Sequence, residues 1–94
     1  MADETVVDNT AEQRFELEAE GHRAELLYQL DGDQLVLVHT GVPDELEGRG
    51  LGGQLAKAAV ERARAEGLTV VPRCSFVRSW IERHPDEVAG VEVA

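Results

Sequence analysis

Ninety-four residues carry 19 Asp and Glu against 9 Lys and Arg, a formal charge of −10 with histidine neutral. A chain of that length makes one small domain with a modest core, and its acidity disfavours nucleic acid, whose phosphates it would repel. Residues 1–10 carry neither a signal-peptide pattern nor a membrane span, and the single cysteine, Cys74, permits no intrachain disulfide, so the expected setting is a reducing cytoplasm with no membrane partner.

Residues 1–11 read as a flexible acidic tail with nothing to bury, and residues 12–94 as the single domain. Residues 14–19 alternate apolar with polar, as a half-buried strand does, and Glu20-Gly21-His22 supplies a turn. Residues 23–30 alternate again through Ala24, Leu26, Tyr28 and Leu30. Asp31-Gly32 marks a hairpin, and residues 34–40 complete an antiparallel meander. Leu51, Leu55, Ala58, Ala59 and Ala63 recur at helical spacing through residues 51–66, and Gly67 stands where a C-terminal cap belongs. Residues 68–71 form a short apolar run that predicts a buried strand, parallel to the one ending at Thr40 because a helix intervenes. Pro72 ends it. Ser75 is placed to cap a second helix with Phe76, Val77, Trp80 and Ile81 on one face, and Pro85 stops that helix. The order βββαβα defines an α+β domain, mostly antiparallel with one parallel crossover.

Charge is unevenly spread. Residues 1–47 hold 13 acidic residues against Arg14 and Arg23, whereas residues 48–94 hold 6 against Arg49, Lys57, Arg62, Arg64, Arg73, Arg78 and Arg83. The nearly neutral half contains the stretch Glu47-Gly48-Arg49-Gly50-Leu51-Gly52-Gly53-Gln54-Leu55, which follows a hydrophobic run and opens the main helix. Glycines at 48, 50, 52 and 53 allow positive φ and bring bare N–H groups towards a ligand, while the helix directs its positive end there, so a phosphate or pyrophosphate is the expected guest. No Gly-Lys-Ser/Thr ending is present, which excludes a Walker A loop. The glycine spacing also misses the dinucleotide fingerprint, for which the chain is too short.

The loop resembles the Arg/Gln-x-x-Gly-x-Gly/Ala segment with which GCN5-related N-acetyltransferases hold the pyrophosphate of acyl-CoA, with Gly50-Leu51-Gly52 in register and Glu47 at the usual Arg/Gln position. His39-Thr40-Gly41-Val42-Pro43 before it, and Pro72-Arg73-Cys74-Ser75-Phe76-Val77 and Arg83-His84-Pro85 after it, resemble the very small stand-alone members of that family. The resemblance spans residues 14–90. It implies a minimal GNAT-like fold in which the strands flanking the main helix splay apart around the pantetheine arm of acetyl-CoA or CoA, here residues 38–42 and 70–73.

The resemblance also assigns roles. Arg49, Gly50, Leu51, Gly52 and Gly53 would hold the pyrophosphate, with Lys57 for a charge-assisted contact and Val42 and Arg73 along the arm; no metal is expected. His39 is placed to take a proton from an acceptor amine, or to pin the turn at residues 40–43. Cys74 precedes a helix N-terminus that lowers thiol pKa; it can protonate a leaving thiolate, accept the acyl group itself, or simply fill space. Glu45 is a further candidate. Trp80 stands where small relatives often carry a tyrosine, and indole only donates and does not titrate. The implied activity is transfer of an acetyl group to a small-molecule or protein amine, directly or through Cys74, with a non-catalytic CoA-binding or regulatory module as the alternative. The acidic half would attract a cationic amine or serve solubility. A monomer or weak homodimer is expected, the latter able to complete the acceptor site.

Overall fold

Alternation builds the sheet. In the computed structural model, which describes residues 5–94, β1 (Val7–Asn9), β2 (Arg14–Ala19), β3 (His22–Asp31), β4 (Gln34–Gly41) and β5 (Thr69–Pro72) lie side by side in chain order. The first four are antiparallel, and β5 runs parallel to β4. Helix α1 (Leu51–Glu66) makes the crossover between β4 and β5, and α2 (Ser75–Arg83) follows. The fold is mixed α+β, as expected, with one strand more than the sequence reading.

That additional strand falls within the segment read as a tail. Residues 1–4 lie outside the described residues, but Val7–Asn9 pairs with Glu16, Phe15 and Arg14 of β2. Much of what anchors it is polar. The hydroxyl of Tyr28 donates to Asp8 Oδ1 at 2.6 Å, and Arg62 of α1 donates to Asp8 Oδ2 at 2.8 Å and to the Tyr28 oxygen at 2.9 Å. The segment therefore docks through a carboxylate shared by a core tyrosine and a helix arginine, with Val6 partly buried against the core beside it.

Phe15 and Leu17 of β2, Ala24, Leu26 and Tyr28 of β3, Leu35 and Leu37 of β4 and Val70 of β5 share one face by register and are buried. Leu51, Leu55, Ala56, Ala59, Val60 and Ala63 of α1, with Val77 and Trp80 of α2, join them in a single core cluster. Both helices thus cover one side, and the other carries Arg14, Glu16, Glu18, Arg23 and Glu25. Helix α1 ends as its sequence predicts, on Gly67 at φ +70° with its N–H donating to Ala63 O. The segment after α2 returns to the sheet, where Val93 bridges Val70 on the outer edge of β5.

One irregularity positions the site. Leu27 pairs with His39 but Tyr28 pairs with Leu37, so Val38 is an extra residue in β4. A bulge of this kind flips the side-chain parity of everything beyond it. Thr40, opposite Leu26, consequently shares the helix-covered face, and His39 is turned to the helix-free one.

Candidate functional site

The turn into α1 is made by Gly48 at φ +86° and Gly50 at φ +74°, the latter as N-cap. Gly52 and Gly53 were expected to serve the same turn, but both lie within α1. Their lack of a side chain serves packing instead. A Cβ on Gly52 would stand 2.7 Å from the Phe76 ring, and one on Gly53 2.9 Å from Trp80 Nε1. The two glycines let α2 press its aromatic side chains against the first turn of α1.

That first turn is chemically open. The first intrahelical bond runs from Gln54 N to Gly50 O, no side chain caps the helix, and no acidic residue occupies its first turn. The N–H groups of residues 51–53 therefore face outward at the positive end of a sixteen-residue helix, an arrangement suited to an anion. They border a cleft of about 520 Å³ whose walls include Thr40, Val42, Glu47, Gly50, Gly52 and Phe76. A cleft of that size suits a cofactor-sized ligand. Leu46, at the end of a 3₁₀ turn (Asp44–Leu46), is fully buried beneath it.

At the inner end of the cleft, β4 loses its neighbour. Pairing of β4 with β5 stops at Leu37 opposite Pro72, and the N–H groups of Arg73 and Cys74 both donate to Leu37 O. Beyond that point β4 continues to Gly41 with no β5 residue alongside; of the two segments expected to part, residues 38–41 do lack a β5 partner, whereas residues 70–72 remain paired with residues 35–37. Cys74 is buried and forms the N-cap of α2, where Ser75 was expected; Ser75 is the first helical residue and caps nothing through its side chain. Cys74 Sγ lies 3.2 Å from Thr40 Oγ1. Burial pushes the thiol pKa up, but the Thr40 hydroxyl and the N–H groups of Val77 and Phe76 outweigh it and hold Cys74 below the ordinary thiol value.

His39 is not brought to Cys74. It is exposed on the opposite face of β4, where it flanks Gly41 together with Glu25: a Cβ on Gly41 would lie 3.9 Å from His39 Nε2 and 3.8 Å from Glu25 Cγ. Glu45 is exposed with a carboxylate oxygen 4.0 Å from His22 Nδ1. Of the residues expected to hold a cofactor, Val42, Gly50, Leu51, Gly52 and Gly53 line the cleft. Lys57 lies instead in an adjoining groove, 4.0 Å from Glu87. Arg49 is paired with the carboxylate of Glu20, and Arg73 is exposed past the end of β5, outside the cleft lining. The sequence reading did not single out Thr40 or Phe76 as site residues. Thr40 is 34 residues from Cys74 along the chain, and no spacing rule links them.

A glycine-turned, uncapped helix that opens beside two parting parallel strands defines the class as an acyltransferase-type α+β domain. The chain belongs to the GCN5-related N-acetyltransferase family, whose profile matches residues 14–91. Among curated proteins it is similar to Protein NATD1 of Homo sapiens and of Gallus gallus, at 39% identity over 64 residues that make up 67% of this chain and 57% and 58% of those proteins. Protein NATD1 of Danio rerio is 34% identical over the same length. The chain therefore aligns with less than two thirds of these relatives. Among solved structures it is similar to the solution structure of a GCN5-like candidate N-acetyltransferase from Staphylococcus aureus, with TM-score 0.74 and 31% identity over 100% of this chain and 93% of that one. No helix among the described residues is long and apolar enough to cross a membrane.

Proposed function

We propose that this domain binds acetyl-CoA and transfers its acetyl group to an amine. The observation that carries the reading is the uncapped N-terminus of α1, turned by Gly48 and Gly50 into a cleft that ends at the Thr40–Cys74 pair. The bound cofactor would supply an acetyl group activated as a thioester. The N–H groups of residues 51–53 are the donors for its pyrophosphate, and the free edge of β4 from Val38 to Gly41 offers backbone partners to its amide-bearing arm. Cys74, with its pKa held below the ordinary thiol value, can give its proton to a departing thiolate; in its ionised form it can accept the acyl group itself. His39, exposed on the helix-free face, would serve as the proton acceptor for an amine that approaches the thioester from that side of β4. A free thiol with a catalytic task fits a reducing cytoplasm.

The test is acetyl-CoA consumption with a panel of primary amines by the parent chain, Cys74→Ala and His39→Ala. General acid–base groups contribute roughly 10²- to 10⁴-fold, so each substitution should lower the rate by about a hundredfold or more if the residue has that role. Unchanged rates in both would remove the catalytic assignment. A second reading, a CoA-binding module without turnover, is favoured by one observation: the two titratable candidates lie on opposite faces of β4. It predicts a CoA-dependent rise in melting temperature with no acetyl consumption for any amine.

A further inference from the structure

Trp80 is the chain's single tryptophan and is only 7% exposed. Its ring stacks on the His84 imidazole, with centroids 4.6 Å apart and planes at 24°, and His84 Nδ1 lies 2.8 Å from the Trp80 carbonyl oxygen. These contacts give the Arg83-His84-Pro85 stretch a mechanical role, since they lock the indole from the C-terminal side of α2. The opposite edge of the ring points at α1, where Nε1 would stand 2.9 Å from a Cβ on Gly53. The indole N–H reaches the first turn of α1 because residue 53 has no side chain.

This N–H has no acceptor among the described residues, and no fully enclosed side-chain nitrogen or oxygen among them lacks a partner. Nε1 is therefore not fully enclosed, and Trp80 lines, with Gly53, Lys57, Arg83 and Glu87, a groove of about 460 Å³ beside the main cleft. A buried ring with an unspent donor beside the unspent donors of a helix N-terminus is an arrangement that an anion satisfies. Indole offers no lone pair and no titrating proton, which leaves binding as its chemistry.

We propose that the Trp80 indole N–H is a phosphate donor of this site, completing with the first-turn N–H groups of α1 the recognition of a phosphoryl oxygen on the CoA ligand. The proposal rests on the reading that the domain binds CoA. Lys57 and Arg83 add positive charge to the same groove; Glu87, its single carboxylate, lies 4.0 Å from Lys57 Nζ. The phosphoryl group belongs to the pyrophosphate or to the 3′-phosphate, and the indole chemistry is the same for both.

A lone tryptophan gives one indole N–H signal in a nitrogen–proton correlation spectrum of the ¹⁵N-labelled full chain, which can be titrated with CoA, dephospho-CoA, inorganic pyrophosphate and pantetheine. CoA should move the indole signal together with the amides of residues 51–53. Reproduction by dephospho-CoA or pyrophosphate assigns the contact to the pyrophosphate, and a response to CoA alone assigns it to the 3′-phosphate; either bears the proposal out. Trp80→Phe, which keeps an aromatic ring, should weaken CoA binding by about tenfold and leave pantetheine binding unaltered. CoA that moves the amides but not the indole overturns the proposal and leaves CoA binding intact, as does pantetheine that moves the indole as far as CoA does. No response of any signal to CoA would remove the CoA reading itself.

Discussion

Thr40 Oγ1 and Cys74 Sγ meet at 3.2 Å across the point where β4 and β5 part. The contact exists because the bulge at Val38 turns Thr40 to the helix-covered face, and because both Arg73 and Cys74 hydrogen-bond to Leu37 O, which holds the start of α2 against β4. A hydroxyl at that distance can donate to a thiolate but gains little from a neutral thiol, so it biases the residue towards ionisation.

Replacing Thr40 with valine should therefore raise the pKa of Cys74. Burial would then act against fewer compensating donors, with the N–H groups of Val77 and Phe76 remaining. The pH dependence of alkylation by a small electrophile reports the midpoint: in the parent it lies below the ordinary thiol value, and in Thr40→Val it moves up. Because the folded state favours the thiolate, its stabilising contribution is present above the free-thiol pKa and fades as pH falls through the folded value. An unchanged alkylation midpoint in the variant would show that Thr40 does not tune the thiol.

Glu47 tests the cradle from the other side. Its carboxylate is exposed on the rim of the cleft, beside the positive end of α1. A negative charge there opposes an anionic ligand, and the donors proposed to hold it are backbone groups that the substitution leaves in place. Glu47→Gln should bind CoA at least as tightly as the parent by calorimetry, and a loss of tenfold or more would contradict this geometry.

The legible parts of the fold are those governed by local periodicity. Helix α1 has the predicted bounds because apolar spacing and Gly67 act within the segment itself, and β5 is parallel because a helix separates it from β4. The strand Val7–Asn9 was not legible, since its anchor is Asp8 held by Tyr28 and Arg62, and nothing near Asp8 announces those partners. The bulge at Val38 was equally hidden, and it decides which of His39 and Thr40 faces Cys74. Motif and loop chemistry pointed to the glycine-turned cleft as the candidate site; which of His39 and Thr40 borders it depends on a one-residue irregularity in strand pairing.

Gly52 and Gly53 should respond differently to alanine. Gly to Ala gains about 1 kcal/mol from propensity in a helix interior, and less in the first turn where both residues lie. At Gly53 the new methyl meets Trp80, which is buried and locked by His84, so a net loss of about 1–2 kcal/mol is expected from overpacking. At Gly52 it meets the outer edge of Phe76, which is 39% exposed and free to rotate away, so stability should change little. The displaced ring lines the cleft proposed to hold CoA, however, and Gly52→Ala should weaken CoA binding, with the double variant Gly52→Ala/Phe76→Ala recovering part of it. Chemical denaturation and ligand titration of the three variants separate the two effects; equal losses of stability at both positions would refute the distinction.

The clasp of Asp8, Tyr28 and Arg62 makes a prediction at high pH. Burial, and then the hydrogen bond to Asp8, raise the Tyr28 pKa against the opposing pull of Arg62. A group whose folded pKa is raised contributes stability that is complete below its unfolded pKa and is lost as pH rises through the folded value, so the loss should begin near pH 10, the ordinary tyrosine value. Tyr28→Phe removes the titrating hydroxyl and leaves Asp8 with Arg62, at a cost of about 1 kcal/mol at neutral pH. Asp8→Ala leaves both Tyr28 and Arg62 without their shared acceptor and should cost about 1–3 kcal/mol while freeing β1 from the edge of β2. Melting curves from pH 7 to 11 should show the parent and Tyr28→Phe converging in stability as the pH rises, because only the parent loses the contribution of a neutral phenol. A gap that stays constant across that range would mean that the Tyr28 hydroxyl does not titrate in the clasp.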